Sequence, residues 1–171
     1  NYDPAKPGEP AVTLHMNGEI VDFIPMMPSH TAGDTVVRFR KANVIYIEDF
    51  YRNFGYPYAA QTSGGSIRGM IEAVDLFQKI AGPDTWLIPG HGTLIRREDL
   101  LPYRAMLVDA RDRVAALKAQ QKSEQETVDA KPLDANDKRW ANGPMANERF
   151  VRVVYDTLTA VEVARVREAA M

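Results

Sequence analysis

The sequence predicts an α/β protein of the α+β kind, with a mainly antiparallel sheet covered on one face by helices. Three observations carry that expectation. Asn17-Gly18 joins the alternating run Val12 to Met16 to a return strand, Ile20 to Ile24, and is a strong two-residue hairpin signal. A second turn, Lys41-Ala42-Asn43, separates two β-branched runs, Thr35 to Phe39 and Val44 to Ile47. Two later stretches change to helical spacing: Ile67, Met70, Ile71, Val74 and Phe77, then Tyr103, Leu107, Ala110, Val114 and Leu117. The order hairpin, hairpin, helix, strand, helix fits neither an all-helical chain nor a doubly wound parallel sheet.

Asn1 to Pro10, rich in proline, reads as an extended connector. On the first strand His15 falls on the more polar face, as an ordinary surface residue. Pro25 to Ser29 breaks the second strand. Its Met26 and Met27 either pack a loop or line an apolar pocket for a substrate. Arg38 and Arg40 share one face of the third strand and are expected on the solvated side. Phe50 to Gly65 is irregular and aromatic, and serves as a packed connector or as a substrate-facing segment through Tyr56 and Tyr58. Ser66 caps the first long helix, which Gly82-Pro83 ends. Trp86 to Pro89 is a short apolar strand. A helix follows from Asp99 to about Gln120, with Pro102 tolerable in its first turn. Ser123 and Glu126 match a capping box for a short helix. Lys131 to Pro144 reads as polar and turn-rich. Phe150, Val151, Val154, Leu158 and Val161 mark one final helix running towards Met171. The expected division places residues 1-120 in the sheet-bearing unit and 121-171 in a helical extension packed on it.

Composition narrows the partners. With 171 residues, 45% hydrophobic and 26% charged, the chain can bury a substantial core. A net charge of −2 gives no electrostatic case for nucleic acid or an anionic membrane, and no apolar run is long enough to span a bilayer. The absence of cysteine removes disulfides, zinc–thiolate sites and thiol catalysis. The chain starts at Asn1, so its natural N-terminus is expected to lie upstream. The compartment is left open, with a lean towards the bacterial periplasm.

The chemistry-bearing residues gather at predicted strand ends. His30 closes the loop before the third strand, Asp49 ends the fourth, and His91 sits between Gly90 and Gly92 after the fifth. A hairpin brings its open ends together, so His30 and Asp49 are expected as neighbours. Two imidazoles and a carboxylate suit zinc, and also iron or manganese. Each has a plainer reading as well: a surface histidine, a solvated strand end, a glycine turn.

In His30-Thr31-x-Gly33-Asp34, Asp49 and Pro89-Gly90-His91-Gly92, the chain resembles the second half of the metallo-β-lactamase superfamily. Asn17-Gly18-Glu19, the Phe39-Arg40-Lys41-Ala42-Asn43-Val44 turn, Tyr56-Pro57 and Ser63-Gly64-Gly65-Ser66 resemble its glyoxalase-like and cyclase-like bacterial zinc hydrolases. The resemblance implies an αββα sandwich, of which this chain supplies the C-terminal sheet-and-helix half. It implies that His30 serves a first metal, that Asp49 bridges two and that His91 serves the second. Thr31 and Asp34 then orient His30, although Asp34 equally suits a turn-capping role. The implied cofactor is zinc, one or two ions in the complete domain. The implied reaction is hydrolysis of an ester, thioester, amide or lactam bond in a small-molecule substrate. Two departures stand out. Glu48 occupies the position before the acid where such proteins usually carry glycine. The motif His-x-His-x-Asp-His occurs nowhere in these residues, and no catalytic residue is identifiable in this portion. The chain alone is therefore expected to be inactive, and to pair with a missing N-terminal half or with a copy of itself. The alternative is a non-catalytic fragment or swapped oligomer with an incomplete metal site.

Overall fold

In the computed structural model, which describes residues 2–59, 61–143 and 145–169, β1 (Val12–Met16), β2 (Glu19–Pro25), β3 (Thr35–Phe39) and β4 (Val44–Glu48) form an antiparallel meander. A fifth strand, β5 (Trp86–Pro89), adds in parallel to β4, giving the spatial order β1-β2-β3-β4-β5. The turns explain the meander. Asn17 and Gly18 both adopt positive φ, 52° and 78°, as a type I′ hairpin requires. Asn43, at φ 55°, is the left-handed residue of the longer four-residue turn between β3 and β4.

Helix α1 (Ile67–Ile80) makes the crossover from β4 to β5, and α2 (Leu100–Ala119) follows a single 3-10 turn. Ser66 caps α1 by accepting a hydrogen bond from the Gly69 amide at 3.0 Å. Alternation then sorts the sheet residues. Ile24, Val36, Ile45, Ile47 and Leu87 are buried in one cluster with Met70, Val74, Phe77, Leu107 and Val114 of the two helices. The opposite face carries Val12, Leu14, Met16, Phe23, Val37, Phe39, Tyr46 and Trp86. Among the described residues no helix covers it: Val12, Leu14 and Met16 are 51, 44 and 58% exposed.

Four shorter helices complete the chain: α3 (Glu124–Asp129), α4 (Asp134–Trp140), α5 (Ala146–Thr157) and α6 (Ala160–Ala169). Ser123 and Glu126 form the expected capping box of α3. Two expectations are corrected here. Within the segment read as turn-rich lies α4, held by Leu133 and Trp140, with the Trp140 ring edge-on to Tyr103 at 5.5 Å. Pro144, in the same segment, lies outside the described residues, as do Asn1 and Met171. The final helix is two helices. Leu158 is extended, and Thr159 starts again with a capping box in which Glu162 accepts from the Thr159 amide at 2.8 Å.

A third correction concerns Arg38 and Arg40. Rather than facing solvent freely, both grip Asp22, whose side chain is fully buried, with nitrogen–oxygen distances of 2.7–2.9 Å. Thr13 Oγ1 donates to the same carboxylate at 2.8 Å. These hydrogen bonds, Arg40's foremost, hold the Asp22 carboxyl far below the ordinary carboxylate range despite burial. Among the described residues no helix is long and apolar enough to cross a membrane.

Candidate metal centre

The loop from β2 to β3 places His30, and it is moored to the start of α1. The Ser66 amide donates to the Ser29 carbonyl at 2.8 Å, and Ser66 Oγ donates to the Pro28 carbonyl at 3.0 Å. The Ala32 amide donates to the Ser63 carbonyl at 2.8 Å. Helix and loop approach so closely that a Cβ on Gly69 would lie 1.7 Å from the Pro28 carbonyl oxygen. Within the loop, Asp34 accepts from the Thr31 amide at 2.8 Å and from Thr31 Oγ1 at 2.5 Å. Asp34 therefore does cap a turn, yet its Oδ1 also stands 3.7 Å from His30 Nδ1.

Asp49 leaves β4 through an unusual backbone. Glu48 sits in the left-handed region at φ 47°, which explains why glycine suits this position. Burial, reinforced by repulsion from Asp34 and Asp49, raises the Glu48 carboxyl. The Gly90 amide donates to the Glu48 carbonyl at 2.6 Å, locking the β5 exit against the β4 exit. A Cβ on Gly90 would lie 2.6 Å from Asp49 Oδ1, so the glycine leaves room for the carboxylate. Gly92, at φ 114°, turns the chain beyond His91. Asn53 Nδ2 donates to Thr93 Oγ1 at 2.5 Å, joining the two loops beyond Asp49 and His91.

The structure brings His30, Asp49 and His91 together in a cleft of about 200 Å³ that Arg52 and Tyr58 also line. His30 Nε2 is 3.8 Å from Asp49 Oδ2, and His91 Nε2 is 3.5 Å from Asp49 Oδ1. Both gaps exceed a good hydrogen bond of about 2.7–3.2 Å. They are close to the separation of two ligands on one ion. Donors about 2.0–2.1 Å from a tetrahedral zinc stand about 3.3–3.5 Å apart. The donor types therefore fit a metal. Their arrangement is two pairs sharing one carboxylate, because each imidazole addresses a different Asp49 oxygen. Among the described residues no group of three or more His, Cys, Asp or Glu side chains is placed to hold one ion.

Other sequence-derived candidates distribute unevenly. Tyr58 lies in the cleft, its ring edge-on to His30 with the centroids 6.4 Å apart. Tyr56 is buried beside it; its ring stacks on Phe150 at 4.7 Å, and its hydroxyl donates to Asp137 at 2.6 Å. Burial first, then that bond to a carboxylate, raises the Tyr56 hydroxyl well above a free phenol. Met26 does not join this group. It is buried in the core and borders a separate cavity with Val12, Phe23 and Asp34. Arg52 was not singled out from the sequence. Its only signal there is a cation three places after Asp49 within an aromatic run.

Compared by sequence, the chain matches no protein-family model and no curated protein. Solved structures do match. A sec-alkylsulfatase from Pseudomonas sp. superposes with a TM-score of 0.61 at 17% identity, covering 88% of this chain and 25% of that one. A metallo-β-lactamase family protein from Thermus thermophilus gives 0.62 at 14% identity, with 94% and 49% covered. A β-lactamase domain protein from Burkholderia ambifaria gives 0.61 at 13%, with 86% and 43% covered. This is part of a metallo-β-lactamase fold. The chain spans between 25 and 49% of the length of these structures, so its sheet and helices correspond to one portion of the complete fold.

Proposed function

We propose that this chain supplies one half of a metal-dependent hydrolase site, with His30, Asp49 and His91 as its share of the ligands. The observation that carries the reading is the pair of Nε2 atoms, 3.8 and 3.5 Å from opposite oxygens of a single carboxylate. One carboxylate spanning two positions, each with an imidazole, is the donor set of a site for two cations, zinc by preference for nitrogen ligands. When bound, such ions supply Lewis acidity and activate water for attack on an ester, thioester, amide or lactam bond. The similarity to a sec-alkylsulfatase and to β-lactamase-type proteins supports hydrolysis as the reaction class.

The chain's own residues do the positioning. Asp34, behind His30 Nδ1, favours the tautomer that leaves Nε2 free to ligate, and Thr31 holds Asp34 in place. Gly90 leaves space for the Asp49 carboxylate, and its amide ties the His91 loop to the Glu48 carbonyl. Two imidazoles and one carboxylate are too few to complete two cation sites. The remaining donors come from a second sheet-and-helix unit packed on the bare face of Leu14, Phe23, Val37 and Trp86. A preceding segment of the same protein is the expected source of that unit, and a second copy of this chain is the other. Covering such an apolar face contributes about 25 cal/mol per Å² buried.

Zinc titration of the 171-residue chain, alone and with the complementary unit added as a separate polypeptide, tests the proposal. Weak binding and negligible hydrolysis are expected alone, with both restored in the mixture and lost again on Asp49→Asn. Full turnover by the unaccompanied monomer, or Asp49→Asn activity equal to the parent's, would refute it.

A further inference from the structure

The cleft around Asp49 holds about 200 Å³, which suits a reacting bond and little more. Arg52 and Tyr58 line that cleft and also a neighbouring depression of about 770 Å³. The two spaces therefore adjoin, and anything held in the larger one borders the cleft. The depression's walls combine apolar surface with positive charge. Met145, Tyr58 and Phe54 are 63, 48 and 44% exposed there, large apolar groups left open to water on one concave surface. Arg52 and Arg149 supply its charge, and among the described residues no acidic side chain lines it. Neither guanidinium has an ion-pair partner among the described residues, unlike Arg38, Arg40, Arg68, Arg104, Arg111, Arg113 and Arg152. Arg52 instead stands over the Phe54 ring at 5.0 Å.

We infer that this depression is a subsite for an anionic amphiphile. A carboxylate or equivalent anion sits on Arg52 and Arg149, and an aromatic or alkyl body lies against Phe54, Tyr58 and Met145. Resting on the hydrolase reading above, the inference adds the substrate class: a compound with a negative charge and an apolar group beside its scissile bond. Charge complementarity selects the anion, because the charged side chains that line the depression are two cations without ion-pair partners among the described residues, whereas the Asp49 carboxylate lines the adjoining cleft. Guanidinium is the cation best shaped to meet a planar carboxylate in two parallel hydrogen bonds.

The test is metal-free, so that it is separate from hydrolysis. With EDTA present, the chain is titrated with 2-naphthoate and with uncharged 2-naphthalenemethanol, following backbone amide shifts by NMR. Naphthoate is expected to shift Phe54, Gly55, Gly143 and Ala146 with a Kd on the order of 1 mM, a reasonable affinity for so small a ligand. The alcohol should bind about three- to tenfold more weakly. Arg149→Gln and Arg52→Gln should each reduce naphthoate to the level of the alcohol, while Arg149→Lys retains most of its affinity and shows that charge, rather than a disturbed fold, is responsible. Equal binding of the two compounds, unchanged affinity in both Gln variants, or shifts confined to Val12, Leu14 and Phe23 would overturn the inference. A failure here leaves the zinc titration untouched, and a failed zinc titration leaves this result standing.

Discussion

Replacing Gly69 by alanine sets two physical effects in opposition. Inside a helix, alanine is preferred to glycine by about 1 kcal/mol, so propensity alone predicts stabilisation. Packing predicts the reverse. The new Cβ would lie 1.7 Å from the Pro28 carbonyl oxygen, a backbone atom that cannot rotate away. Ordinary carbon–oxygen contact is about 3.3 Å at closest. Helix α1 and the loop before His30 would have to separate by roughly 1.6 Å, the difference between those values. That separation breaks the bonds from the Ser66 amide to Ser29 and from Ser66 Oγ to Pro28. Two hydrogen bonds at about 1 kcal/mol each, plus about 1 kcal/mol of weakened capping, outweigh the propensity gain. The net expectation is a loss of about 2 kcal/mol, or a fall in Tm of about 4–8 °C for a chain of this size. Because the displaced loop carries His30, zinc affinity of the completed protein should also fall, about tenfold or more, as for lost outer-shell support. Thermal unfolding by circular dichroism and a zinc titration measure both. A Gly69→Ala variant that melts higher than the parent would refute the reasoning, since only an open contact lets propensity prevail.

Three further outcomes are expected. Glu48→Gly removes a non-glycine residue from φ 47° and should raise stability by about 1 kcal/mol, read from the urea midpoint. Asp22→Asn breaks the buried pairing with Arg38 and Arg40 and should cost about 3 kcal/mol, with Tm falling about 6–12 °C. In the parent, the depressed Asp22 carboxyl contributes its stability fully above the unfolded value near about 3.9, and that contribution fades as the pH falls below it. An acid-melting curve without a shift between parent and Asp22→Asn would contradict this. Leu14→Glu, on the uncovered sheet face, should abolish self-association seen by sedimentation or binding of the complementary unit, while leaving the melting temperature within about 2 °C, as expected for surface changes below about 0.5 kcal/mol.

Much of the architecture was legible because it depends on neighbours close in the chain. Asn17-Gly18 prescribes a hairpin whatever surrounds it, and the stripe Ile67, Met70, Ile71, Val74 and Phe77 can bury one face only as a helix. The meeting of His30 with Asp49 followed from strand pairing alone, since the two ends of a hairpin must be adjacent. The Thr159–Glu162 capping box was also written locally, although Val154, Leu158 and Val161 suggested an uninterrupted helix across it. What the sequence could not fix were relations between distant segments. Helix α4 exists because Trp140 finds Tyr103 and Asp137 finds Tyr56, partners 37 and 81 positions away, whereas its own residues show no apolar period. Arg38 and Arg40 look solvated until register sets Asp22 opposite Arg38. The close approach of Gly69 to Pro28 and of Gly90 to Asp49 likewise appears only after packing. Periodicity and turn chemistry are short-range, so one chain displays them; desolvation, charge pairing and steric fit depend on what the fold brings alongside, and only the tertiary structure supplies that.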